Sequence, residues 1–181
     1  FIPGTEDLLQ RIAGPNGVYP SLSGLLSERK LNQFKVRAVS VPSLGNRTWA
    51  KFRRASFKLS AVAINHGEIP AIAWRVELAG QSIVFAGAFN NDKDVIRDFA
   101  KNADALIVEH SIPEVSRGRL RELYALPSEL GKVASQADAR MLILAGRTNR
   151  TRGRESLSRQ AIEKSYDGPV LFGNDEECWG L

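Results

Sequence analysis

The stretch "AINHGEIPAIAWRVELAGQSIVFAGAFN", residues 63–90, decides how this chain is read. "AIAWRVEL" (71–78) alternates apolar and polar side chains, the period of a strand. "SIVFA" (82–86) is a continuous apolar run, and Ala79-Gly80-Gln81 forms the tight turn between the two. One of the chain's two histidines, His66, stands just ahead of this hairpin with no partner near it in sequence.

Working outward, "FKLSAVAI" (57–64) alternates as well. After residue 90 the rhythm changes to the helical period. Helices are expected over 92–101, with Val95, Ile96 and Phe99 inward, over 127–138, with Leu130, Val133, Ala134 and Ala137 on one face, and over 153–166. Short buried strands fall between them at 104–108, 141–145 and 169–172. Near the start, Thr5 followed by Glu6 and Asp7 reads as a helix cap with acids in the first turn. Leu8, Leu9 and Ile12 give that helix an apolar face, and Gly14-Pro15-Asn16-Gly17 stops it. A second helix is expected over 21–30, a strand over 33–41, and a loop or irregular strand over 42–54. Hairpins first and helix–strand units afterwards predict an α/β (α+β) fold, a mixed β-sheet with flanking helices.

At 181 residues and 43% hydrophobic, the chain can bury one sizeable core. Its single cysteine, Cys178, rules out a disulfide framework or a cysteine metal cluster within the chain. Beside Trp179, that cysteine is expected to be buried packing. No apolar run is long enough to span a bilayer. The sequence starts "FIPGTEDLL" and its only methionine is Met141, so a processed or shortened chain is expected. Net charge is +5, with basic residues dense at 147–154 and a smaller group at Lys51, Arg53, Arg54 and Lys58. Such clusters are either solvated loops or a surface for phosphate or nucleic acid.

Residues 57–181 resemble the C-terminal half of a metallo-β-lactamase-fold hydrolase, nearest the ribonuclease Z-like group. "NHGEIPAIAWRVELAGQSIVFAGAF" is similar to that family's ligand histidine, proline-alanine pair, strand, turn and "SIVFSGDT". "NADALIVEHS", "SELGKVASQADARMLILAG" and "PVLFGNDEECWGL" match later segments in order, and "PGTEDLLQRI" weakly matches one near the family's first metal motif. The resemblance implies half of an αββα sandwich, with zinc ions held by histidines and carboxylates and a metal-bound hydroxide as nucleophile. It also implies one domain over 1–181 that lacks the N-terminal metal-motif segment.

Carried over residue by residue, the ligand set is incomplete. His66 falls on a metal-ligand histidine, while the bridging aspartate falls on Ala88 and the last ligand histidine on Gly146. The histidine of the later strand falls on Val108, Glu109 matches its glutamate, and His110 is displaced by two positions. A catalytic zinc takes three protein ligands and an open position, which His66 alone does not supply. Without the resemblance, His66 reads as a hairpin histidine with an ordinary hydrogen bond. Glu109 and His110 read either as an acid–base pair at a strand end or as a loop cap beside an exposed histidine. Asp175, with Glu176 and Glu177, reads as a solvated chain end. Arg147 and Arg150 are placed at the rim of the cleft, where they could contact phosphate.

Two functions follow. One is a hydrolase-like protein with a degenerate metal site, acting as a non-catalytic binding or structural module. The other is a metal-dependent hydrolase of a phosphodiester or ester, with an altered ligand set or ligands from a missing N-terminal segment. Half a sandwich exposes an apolar sheet face, so a homo-oligomer or another protein chain is the expected partner, unless the first 56 residues cover that face. A phosphate-containing ligand or nucleic acid is a further partner that the basic clusters allow.

Overall fold

Residues 57–64 and 71–78 pair along their whole length, Phe57 opposite Leu78 and Ile64 opposite Ala71. These are β2 (Phe57–Ile64) and β3 (Ala71–Leu78) of a seven-stranded sheet. The computed structural model describes residues 4–26, 38–43, 48–54 and 56–180. Ala79 and Gly80 both take positive φ, 52° and 83°, the paired left-handed turn that suits the twist of a two-residue hairpin. The chain then returns as β4 (Gln81–Gly87), antiparallel to β3. From here pairing is parallel, through β5 (Ala105–Glu109), β6 (Leu142–Ala145) and β7 (Val170–Phe172). Spatial order equals chain order, with β1 (Thr48–Arg53) on the far edge.

Each parallel step needs a crossover, and helices supply it: α2 (Val95–Phe99) after β4, α3 (Leu120–Leu123) and α4 (Pro127–Gln136) after β5, and α5 (Glu155–Ile162) after β6. Val84, Leu106, Leu142 and Val170 stand in register across the four parallel strands, and none exceeds 3% exposure. They pack with Ile96, Leu130, Val133, Ala134 and Ile162 in one core. Glu129 anchors the start of α4 by accepting the Leu126 N–H at 2.7 Å. Arg75 caps the end of α2, donating to the carbonyls of Phe99 (3.1 Å) and Lys101 (2.9 Å).

The other face carries a second register row, Trp74, Phe85, Ile107, Ile143 and Leu171. It is apolar across five strands, and Phe85 is 44% exposed.

The chain divides into two compact units, Phe1–Val41 and Pro42–Leu181. In the first, α1 (Thr5–Ala13) follows Gly4, so Thr5 is the first helical residue and not the cap. Its hydroxyl donates instead to the Val39 carbonyl at 3.4 Å. The helix expected over 21–30 is a 3₁₀ turn at Pro20–Leu25, with 27–30 outside the described residues. Of the strand expected over 33–41, residues 33–37 lie outside the described residues and 38–41 are not strand. No helix among the described residues is long and apolar enough to cross a membrane.

Gly131 lets α4 and α5 meet. A Cβ there would sit 2.6 Å from the Ile162 carbonyl oxygen and 2.9 Å from its Cα, both backbone atoms that cannot swing aside. Gly131→Ala is therefore expected to destabilise the fold by about 1–3 kcal/mol through overpacking. That outweighs the roughly 1 kcal/mol a helix gains when alanine replaces glycine. Urea unfolding would show it; a more stable variant would mean that the helices part without penalty.

Candidate functional site

The carboxyl ends of β4, β5 and β6 and the loop after β2 share one edge of the sheet, which gathers His66, Ala88, Glu109 and Gly146. Each was singled out in the sequence, and His66 and Glu109 are held by partners the sequence does not announce.

His66 is half-buried. Its Nδ1 donates to the Leu123 carbonyl at 2.7 Å, and its ring meets Tyr124 edge-on at 5.2 Å. A carbonyl only accepts, so Nδ1 carries the proton and Nε2 of the neutral ring keeps its lone pair. The same loops are stitched by Asn90, whose Nδ2 donates to the Glu122 carbonyl at 2.6 Å. Ala125 N–H also donates to the Phe89 carbonyl at 2.6 Å. The lone histidine of the hairpin thus has a partner, 57 residues away in the chain.

Glu109 and His110, read as an acid–base pair, are not brought together, because consecutive residues at a strand end point to opposite faces. The Glu109 carboxylate accepts from the Ser111 hydroxyl. Its Cγ lies 2.9 Å from where a Cβ on Gly146 would be, and Gly146 has φ +61°. Glutamate therefore fills the space that a side chain at 146 would need.

His110 turns toward α5 and is 1% exposed, which corrects its reading as an exposed neighbour of a loop cap. Its Nε2 lies 2.9 Å from Ser158 Oγ, and its ring sits 5.7 Å from that of Phe172. Nδ1 is buried and has no hydrogen-bond partner among the described residues. Burial pushes the imidazole pKa down to about 4; Glu155 pulls it up and Arg147 pushes it further down. The ring is neutral at physiological pH.

Arg147, read as a phosphate contact, is committed within the protein. Nη1 donates to Glu155 at 2.8 Å, and Nη2 donates to the Gly173 carbonyl at 3.3 Å and to Asn174 Oδ1. Backbone N–H groups at the start of α5, and then Arg147, hold the Glu155 carboxyl below the usual carboxylate range. Arg150 is exposed, as are Arg152 and Arg154. The loop that carries them is pinned by two threonines that the sequence reading passed over. Thr151 Oγ1 donates to the His110 carbonyl at 2.8 Å, and Thr148 Oγ1 to the Ser111 carbonyl at 2.9 Å. Asp175 is exposed, and so is Cys178, which corrects its reading as buried packing.

The zinc that the resemblance implies does not fit these donors. Ala88 and Gly146 have no ligand atom, and His110 faces away into the core. Among the described residues no group of three or more histidine, cysteine, aspartate or glutamate side chains is placed to hold a metal ion.

The sheet and helices superimpose on known structures. One is a metallo-β-lactamase fold protein, YhfI from Bacillus subtilis, with TM-score 0.61 and 19% identity over 72% of this chain. The fold is that of the metallo-β-lactamases. Unliganded yeast PDE1 is a second match, with TM-score 0.54 and 10% identity over 92% of this chain. The chain spans about half the length of these structures, 52% and 55% respectively. No family model and no curated protein matches the sequence.

The buried imidazole makes stability depend on pH. Its folded pKa, about 4, lies below the ordinary 6.5, so the unfolded chain binds the proton more readily. Stability from this group is complete above pH 6.5 and is lost as pH falls toward 4. Wild type is expected to lose about 2 kcal/mol more than His110→Gln between pH 7 and 4.5, by urea unfolding at each pH. Equal losses would mean that His110 is solvated in the folded state.

Proposed function

We propose that this chain is a metallo-β-lactamase-fold, hydrolase-like protein, nearest the ribonuclease Z-like group, whose metal site is degenerate and whose role is non-catalytic binding or structure. The observation that carries this reading is the Glu109–Gly146 contact. The position assigned to a terminal ligand is a glycine at positive φ, and its side-chain space belongs to a neighbour. Ala88 supports the same reading, since it has no donor where a bridging carboxylate is needed. Under this proposal His66 is a positioning residue that ties the β2–β3 loop to residues 122–124.

We further propose that residues 1–181 act as one such domain, lacking the segment with the first metal motif. The row from Trp74 to Leu171 is then the face that receives a second sheet, from a preceding segment, a second copy or another chain. Phe85, 44% exposed in that row, favours burial, while Ile143 is already buried. The exposed Arg150 meets a phosphate-containing ligand or nucleic acid; Arg147 serves the loop instead.

A second reading, a metal-dependent hydrolase with an altered ligand set, has one observation in its favour. The His66 tautomer leaves Nε2 able to ligate, in the arrangement where a backbone carbonyl orients a metal-bound imidazole.

Metal content after dialysis against a weak chelator separates the two, with His66→Ala beside wild type. No stoichiometric metal is expected in either protein, and no hydrolysis of bis(p-nitrophenyl) phosphate with added zinc. His66→Ala should lose about 1 kcal/mol of stability through its hydrogen bond alone. Stoichiometric zinc or iron in wild type, reduced in His66→Ala, would establish the second reading instead.

A further inference from the structure

A groove runs between the loop after β5 and the outer side of α5. It is walled by Pro113, Val115, Leu157 and Ala161 and encloses about 230 Å³. That is smaller than the roughly 300–1,000 Å³ of pockets that hold whole small molecules, and suits one large apolar side chain. Its lips are the most water-exposed apolar side chains of this region, Val115 at 70% and Leu157 at 60%. A small ligand inside the groove would leave both lips wet, whereas a peptide laid across it would cover them.

Charge selects the partner. Glu114 is the one acid lining the groove among the described residues, and both its oxygens are used at the start of α4, accepting from Ser128 N–H (2.9 Å) and Ser128 Oγ (2.7 Å). Arg154 and Lys164 lie along the same groove. Neither forms an ion pair with a carboxylate of the described residues. Ser158, which also lines the groove, is engaged by His110 from behind, so this wall is fixed.

We propose that this groove docks an acidic segment of a partner protein. The segment inserts one phenylalanine- or leucine-sized side chain between Val115 and Leu157 and sets carboxylates against Arg154 and Lys164. Such an anchor in a small pocket, ringed by polar contacts, is how a short interface concentrates its affinity. This inference does not rest on the degenerate-site reading; it holds whether or not the chain binds metal.

The test uses a fluorescein-labelled short peptide of glutamate and serine around a central phenylalanine. Controls replace the phenylalanine with alanine, or every glutamate with lysine. Saturable binding by fluorescence anisotropy is expected for the phenylalanine peptide. It should weaken about tenfold with the alanine peptide and in Leu157→Ser, as removal of an anchor contact does. It should also weaken in Lys164→Glu and as salt rises. Both substitutions are at the surface, and unchanged thermal melts verify that each variant folds. No saturable binding overturns the proposal. So does equal binding of the phenylalanine and alanine peptides, or binding unchanged in both variants.

Discussion

Burial of one neutral imidazole organises the carboxyl edge of the sheet. His110 has its N–H on the Ala145 carbonyl, its carbonyl on Thr151, its ring beside Phe172 and its Nε2 on Ser158. Those four contacts reach β6, the arginine-rich loop, β7 and α5. An uncharged ring can be buried here at modest cost, whereas a protonated one would meet Arg147 and an apolar wall. The arginine-rich loop is held through the His110 carbonyl by Thr151, and α5 through the ring by Ser158.

Regular elements were legible where side-chain period is the only determinant. The strands at 57–64 and 71–78 are found at those bounds, because both are eight-residue runs in unbroken register. Leu130, Val133, Ala134 and Ala137 lie in the core as helical spacing demands. β1 shows no clear strand period, since its pairing slips between Trp49 and Phe52 and breaks the two-residue alternation. α3, at four residues, is too short to show any period.

The candidate site was legible as a location and not as a set of contacts. His66 stands on the expected edge, but its partner is a main-chain carbonyl, a group that every residue has and no motif marks. The burial of His110 depends on Ser158 and Phe172, 48 and 62 positions further on, which only the tertiary fold brings near. Arg147 shows the same limit for charge: a basic run in sequence says nothing about which guanidinium already has its carboxylate.

The contact between Glu109 and Gly146 also sets the order in which changes at this edge can be made. A histidine at 146 meets two obstacles at once, a positive φ and an occupied space. Shortening Glu109 first removes only the second; reshaping the backbone first removes only the first. The two positions are therefore coupled, and substitutions there should combine non-additively. Introducing histidine at 146 in a single step therefore passes through a strained protein.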